Sequence, residues 1–114
     1  MRKDKAYLQD ILDAIIDIEN FLEKVTEEEF YRNKEKQYAV LRALEIIGEA
    51  TKNLSKEIRA KYRKIPWKDI AGMRDKLIHM YFGVKVDLVW ETVKNKLPEL
   101  KEQLKGISKE NSQV

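Results

Sequence analysis

Hydrophobic residues recur along this chain at spacings of three and four, which is the pattern of amphipathic helices. The stripe over residues 4–25 consists of Leu8, Ile11, Leu12, Ile15, Ile18, Phe21, Leu22 and Val25. A second stripe covers residues 37–54 with Tyr38, Leu41, Leu44, Ile47 and Ala50, and another runs from Leu88 through Val93, Leu97 and Leu100 to Leu104. These stripes predict an all-α fold, an antiparallel helical bundle of about four or five helices.

Capping residues divide the middle of the chain into shorter helices. Thr26 and Glu29 have the spacing of a capping box, which predicts a short helix beginning there. Ser55 is suited to cap a short basic helix that Pro66 ends. Because proline is also favoured in the first turn of a helix, Pro66 predicts a new helix that continues to about Tyr81.

The C-terminal third contains its own boundary signals. Gly83 predicts a helix end, and Asp87 predicts the N-cap of the last helical region. Pro98 predicts either a kink or two helices that meet near Lys96. We expect a single domain over residues 1–105, and the polar composition after it predicts a frayed tail over residues 106–114.

Composition narrows the classes of function. The net charge is +3 with 38% charged residues, which permits binding to nucleic acid without requiring it. The absence of cysteine excludes disulfides, thiolate metal sites and cysteine nucleophiles, and suits a reducing compartment. No apolar run is long enough for a signal peptide or a membrane span, so we expect a soluble, cytoplasmic protein with no membrane partner.

The chain has a single histidine, His79, and it stands among polar residues that could form a site with it. Asp75 lies one helical turn before His79, Arg74 precedes it by five residues, and Tyr81 follows by two. At roughly 100° per residue these side chains share a broad arc of one helix. A lone histidine is more often structural, and the competing interpretation is that Arg74 pairs with an acidic residue while His79 sits at a helix end.

The polar residues of this arc suit RNA cleavage without a metal ion. His79 can take or give a proton near neutral pH, and Arg74 can hold phosphate oxygens through two parallel hydrogen bonds. Asp75 could fix the tautomer of the imidazole. One histidine does not readily serve as base and acid in the same step, so a twofold dimer that brings two copies together is favoured.

The segment Ile65–Val84, with its Arg-x-x-x-x-His-x-Tyr pattern at Arg74, His79 and Tyr81, resembles the HepT-like branch of the HEPN superfamily. The resemblance extends upstream through Glu45–Ala50 and downstream through Val89–Val93 and Leu97–Leu100. It implies a homodimeric helical bundle that cleaves cellular RNA, such as tRNA or mRNA, as the toxin of a type VII-like toxin-antitoxin system.

The resemblance also implies roles for single residues and for a partner. Arg74 and His79 would be the catalytic pair, and Tyr81 would be adenylylated by a cognate minimal nucleotidyltransferase antitoxin of the MntA type. That partner would use ATP, so no cofactor is expected for this chain. Position 75 departs from the superfamily, because Asn is common there and this chain has Asp75. Asp75 is expected to have a supporting role.

Several alternatives remain open at the level of sequence. The chain could be a catalytically weak HEPN binding module that docks a nucleotidyltransferase. A basic patch could guide RNA, and its members are Lys56, Arg59, Lys61, Arg63 and Lys64. Met73 and Met80 could contact a partner, although core packing is favoured for them. With one histidine and no cysteine, we expect no metal site.

Overall fold

The computed structural model describes residues 3–73, 75–76 and 85–111, and every regular element in these ranges is helical. The helices are α1 (Asp4–Phe21), α2 (Glu27–Arg32), α3 (Lys34–Lys52), α4 (Lys56–Lys61), α5 (Trp67–Ala71), α6 (Val86–Glu91) and α7 (Leu97–Asn111). A π-helical segment, Thr92–Lys96, joins α6 to α7. The all-α fold predicted from the hydrophobic stripes is therefore confirmed.

The two long helices α1 and α3 pack against each other along their apolar stripes and form the centre of the core. Ile11 and Ile18 of α1 and Leu44 and Ile47 of α3 are fully buried. Burial of each such side chain contributes roughly 1.5–3 kcal/mol. Helix α7 packs on α1, α5 packs on α3, and α2 contacts both α3 and α6, so one core joins all of these helices.

Helix α1 ends four residues earlier than the stripe predicts. Leu22 follows it as the C-terminal cap and is buried, while Lys24 adopts a left-handed backbone conformation with φ 60°. Leu22 and Val25 therefore contact the core from a turn and not from a helix. Hydrophobic spacing alone does not distinguish the last turn of a helix from a turn that folds back onto the same core.

The predicted capping residues begin their helices as expected. Thr26 Oγ1 accepts a hydrogen bond from the Glu29 amide at 3.1 Å, and Ser55 Oγ accepts one from the Ile58 amide at 3.2 Å. Ser55 also connects distant parts of the chain, because its amide and hydroxyl both donate to the Asp4 carboxylate. This Asp4–Ser55 junction fastens the start of α4 to the start of α1.

The helix predicted from Pro66 to Tyr81 is interrupted. Helix α5 ends at Ala71, and Gly72 follows as its C-terminal cap, with its amide donating to Lys68 O and Ile70 O. Helical backbone is present again at residues 73, 75 and 76, and the predicted end near Tyr81 lies outside the described residues. Glycine has the weakest helix preference after proline, which explains why the break occurs at Gly72.

The C-terminal region differs from its predicted boundaries in two places. Lys85, and not Asp87, is the N-cap of α6, and Asp87 lies in its first turn, where a negative charge is favoured. Helix α7 continues to Asn111, six residues beyond the end of the predicted domain at residue 105. Ile107 is 2% exposed because it extends the stripe of Leu100 and Leu104, and this burial keeps residues 106–111 helical.

The predicted irregularity near Lys96 is confirmed in a specific form. The amide of Leu97 donates to Thr92 O, five residues back, as in a π-helix. Pro98 offers no amide to Lys94 O, and in a regular α-helix its ring would press against that carbonyl. The wider π-helical turn before Pro98 avoids this clash.

Within the described ranges, no helix combines the length and the apolar character required to cross a membrane.

Candidate functional site

Three of the four predicted site residues, Arg74, His79 and Tyr81, lie outside the described residues, as does Met80. The structure describes the chain immediately before Arg74, the two residues that follow it, and the helical region that begins again at Val86. It therefore shows the parts of the chain that flank the predicted site in sequence.

Trp67 anchors the segment that leads to Arg74. Its ring is 6% exposed, and its Nε1–H donates to Tyr62 O at 3.0 Å, which satisfies the one polar atom of the side chain. Ile65 and Ile70 are also buried, and Met73 is half-buried against the same core. The chain therefore reaches Arg74 from a fixed position on α3, and Met73 has the core role that was favoured for it.

Asp75 lies on the opposite, solvent-exposed side of this segment. Its side chain is 70% exposed, and Oδ2 lies 3.9 Å from Nζ of Lys52 in the last turn of α3. The predicted support of His79 by Asp75 remains a prediction, because His79 is outside the described residues. Lys52 was not among the predicted site residues, since sequence spacing does not reveal that the end of α3 meets the segment after α5.

A cavity of about 570 Å³ opens beside Met73, between α5 and the helical region Leu88–Gln103. We call it the α5–α7 cavity. Its walls include the buried residues Ile70, Leu97 and Leu100, together with Met73, Pro66 and Leu88. Charged and polar side chains complete the lining: Lys64, Lys76, Lys96, Asp69, Glu99, Thr92 and Gln103. The sequence analysis identified Lys64 as part of the basic patch but did not identify Lys76 or Lys96.

The predicted basic patch is largely a solvent-exposed surface. Lys56, Lys61, Arg63 and Lys64 are exposed, whereas Arg59 is half-buried and its Nε–H donates to Ser55 O at 3.5 Å. Lys61 Nζ lies 5.4 Å from the centre of the Tyr62 ring, which is a cation–π distance. Lys64 belongs both to this patch and to the rim of the α5–α7 cavity.

Among the described residues, no group of three or more His, Cys, Asp or Glu side chains is placed to hold a metal ion.

The family profile and the similar proteins that match this chain all indicate the same family. A family profile described as "Ribonuclease HepT-like" matches residues 11–107. Two proteins of Methanocaldococcus jannaschii, named "Putative RNase MJ1216" and "Putative RNase MJ0125", are each 53% identical over 109 residues; these cover 96% of this chain and 90% and 94% of the respective relatives. "Probable ribonuclease HepT" of Thermococcus cleftensis is 48% identical over 108 residues, covering 95% of this chain and 98% of that protein.

No solved structure matches the chain. The helical fold and the sequence matches together define the class of protein, an all-α ribonuclease of the HEPN superfamily. The chain belongs to the HepT-like ribonuclease family within it. The resemblance that was based on the segment around Arg74 is thereby confirmed.

Proposed function

We propose that this ribonuclease is a metal-independent endoribonuclease in which Arg74 and His79 act on the phosphodiester bond. The observation that carries the proposal is the family match over residues 11–107, which contains the Arg-x-x-x-x-His-x-Tyr pattern. Two structural features support it. Trp67 and Ile70 hold the preceding helix on the core, and Asp75 and Lys76, the two residues that follow Arg74, are exposed to solvent.

The proposed chemistry uses the ribose 2′-hydroxyl as nucleophile. An imidazole takes the proton of this hydroxyl while its oxygen attacks the neighbouring phosphorus, and the bond to the 5′-oxygen of the next nucleotide breaks. That leaving oxygen receives a proton from an acid, and the products are a 2′,3′-cyclic phosphate and a free 5′-hydroxyl. Arg74 stabilises the charge on the phosphate oxygens because its guanidinium stays protonated throughout.

A homodimer fits this chemistry because it supplies two imidazoles, one for each proton transfer. The described surface contains apolar side chains that a second copy could cover, since Ile16, Phe21, Tyr31 and Tyr38 are exposed. We therefore propose that the active form is a twofold dimer with two His79 residues at one cleft.

The test is cleavage of a defined single-stranded RNA by the purified chain in the presence of EDTA. We expect wild-type protein to leave 2′,3′-cyclic phosphate ends, and both Arg74→Ala and His79→Ala to lose at least about 100-fold in rate, the size of a general acid–base contribution. Lys68→Ala, an exposed lysine on α5, is the matched control and should keep its activity. Cleavage that persists in His79→Ala would contradict the proposed chemistry and leave a binding module as the better description.

We further propose that the chain is the toxin of a type VII-like toxin-antitoxin system and is neutralised at Tyr81. A cognate minimal nucleotidyltransferase would transfer adenylyl groups from ATP to the Tyr81 hydroxyl, releasing pyrophosphate. Each added phosphate carries negative charge close to Arg74 and His79 in sequence, so it would repel the RNA backbone.

This regulation is tested by incubating the chain with ATP and its proposed partner, a minimal nucleotidyltransferase of the MntA type. Wild-type protein should gain the mass of one or more adenylyl groups and lose its RNase activity. Tyr81→Phe should keep its RNase activity and gain no mass, with Tyr38→Phe as a control that is modified like wild type. Modification of Tyr81→Phe to the same extent would show that another residue is the acceptor.

A further inference from the structure

We propose that the α5–α7 cavity binds a nucleotide of the RNA substrate next to the bond that is cleaved. The inference rests on the proposed function and adds a substrate-binding site to it. The cavity adjoins the catalytic segment through Met73 and Lys76, which line it and flank Arg74 in sequence. A nucleotide bound there would contact Met73 and Lys76, which lie next to the proposed catalytic residue Arg74 in sequence.

The size and the lining of the cavity suit a nucleotide. Its volume of about 570 Å³ lies within the range of small-molecule sites, which is roughly 300–1,000 Å³. Ile70, Leu97 and Leu100 provide an apolar wall from three buried positions, and Met73 also contributes to the lining. Such a wall accepts the flat face of a base, which every nucleotide offers regardless of sequence.

Three lysines from separate parts of the chain lie at the rim. Lys64 precedes α5, Lys76 follows it, and Lys96 ends the π-helical segment. None of the three forms an ion pair with another residue in the described ranges, so their charges are available for phosphate groups. Lys94, in the same π-helical segment, differs from these three lysines because its ammonium group already makes a contact. Its Nζ lies 4.6 Å from the centre of the Trp90 ring, which is a cation–π distance.

Two acidic side chains in the lining make the cavity selective for a nucleotide over phosphate alone. Asp69 and Glu99 repel additional phosphates but accept hydrogen bonds from the amino or imino groups of a base. Gln103 can donate and accept, and it contributes to the same lining from α7. In a bound nucleotide, the base would lie on the apolar wall and donate hydrogen bonds to the acidic side chains. Its phosphate would lie at the lysines.

The first experiment measures binding of a fluorescent 2′-O-methyl RNA of roughly ten nucleotides, which the proposed mechanism cannot cleave. Full-length protein carrying Lys64→Gln and Lys96→Gln should bind about tenfold more weakly than wild type at moderate salt. Its slope of log K against log salt should be smaller by about 1.4, because each phosphate contact on a single strand contributes about 0.7.

The matched control carries Lys68→Gln and Lys105→Gln, which remove the same charge at exposed lysines outside the cavity lining. This control should bind more tightly than the Lys64 and Lys96 double variant. Equal loss in the two double variants would show that net charge, and not the cavity, determines affinity, and would overturn the inference.

A second variant tests the cavity without changing its charge. Gln103→Trp should fill the space meant for the base and weaken binding about tenfold, whereas Glu102→Trp, on the exposed side of α7, should not. Circular dichroism and thermal unfolding establish that both variants are folded. If Gln103→Trp is unfolded, the two lysine variants decide the question.

The inference and the proposed function fail in different ways. Suppose that wild-type protein cleaves RNA, and that the two cavity variants (the Lys64 and Lys96 double variant and Gln103→Trp) bind and cleave RNA as well as wild type. The cavity is then not a substrate site, and the catalytic proposal stands. If wild-type protein does not cleave RNA and does not bind the 2′-O-methyl probe, both are wrong. If it binds the probe through the cavity without cleaving RNA, only the proposed catalysis is wrong.

Discussion

Asp75 has two candidate partners, and they predict different behaviour. The described partner is Lys52, 3.9 Å away, and because both side chains are largely exposed this ion pair contributes at most about 1 kcal/mol to stability. The proposed partner is His79, whose protonated form a neighbouring carboxylate would favour. The first role affects folding slightly, and the second affects catalysis.

Asp75→Asn separates these roles. If Asp75 supports His79, its loss lowers the pKa of the imidazole, and the limbs of the pH–rate profile for RNA cleavage move to lower pH. Lys52→Met removes the ion pair and keeps the carboxylate, so its profile should not move in that direction. The support of His79 by Asp75 would be contradicted if the pH–rate profile of Asp75→Asn did not move while both variants lost a small amount of stability. Asp75 would then contribute only through its surface ion pair with Lys52.

At the scale of secondary-structure elements, the Asp4–Ser55 junction stabilises two helix starts together. Ser55→Ala removes the cap of α4 and the hydroxyl that donates to the Asp4 carboxylate, while the backbone amide of residue 55 can still donate to it, so we expect a loss of about 1–2 kcal/mol in the free energy of unfolding. Urea denaturation of Ser55→Ala, Asp4→Ala and the double variant measures the coupling. Additive effects of the two single substitutions would show that the hydrogen bond between the Ser55 hydroxyl and Asp4 contributes nothing to stability.

Helix α7 provides a second test at this scale. Ile107→Ala should destabilise the protein by about 2–5 kcal/mol, as for other buried large-to-small substitutions, because Ile107 is part of the core. Ser108→Ala, at the exposed neighbouring position, should change stability by less than about 0.5 kcal/mol. Equal stabilities of the two variants in urea denaturation would mean that residues 106–111 behave as the predicted frayed tail.

Local patterns predict local structure well in this protein and predict contacts between elements poorly. The stripes of α1 and α3 and the caps at Thr26 and Ser55 were correct because the responsible interactions span only a few residues. The break at Gly72 follows from the weak helix preference of glycine, whereas the helical continuation through Ile107 depends on packing against other helices. Lys52 and Lys96 were missed for the same reason, since only the fold brings them next to Asp75 and to the cavity.

At the scale of the whole molecule, the homodimer remains a prediction with a kinetic consequence. If one cleft needs a His79 from each copy, a wild-type chain paired with a His79→Ala chain is inactive. After mixing and subunit exchange, activity should then fall with the square of the wild-type fraction. A monomer, or a dimer with two independent sites, would give a linear decrease, and light scattering gives the oligomeric state of each mixture.

The π-helical segment Thr92–Lys96 predicts a difference in length between this chain and some of its relatives. A π-helical turn is an α-helical turn widened by one residue, so its geometry is that of a helix with one residue inserted. Relatives without a proline at the position of Pro98 have no carbonyl clash to relieve. An alignment of the family should therefore show a one-residue gap within residues 92–96 in such relatives, and that gap would rotate the residue equivalent to Lys96 away from the cavity.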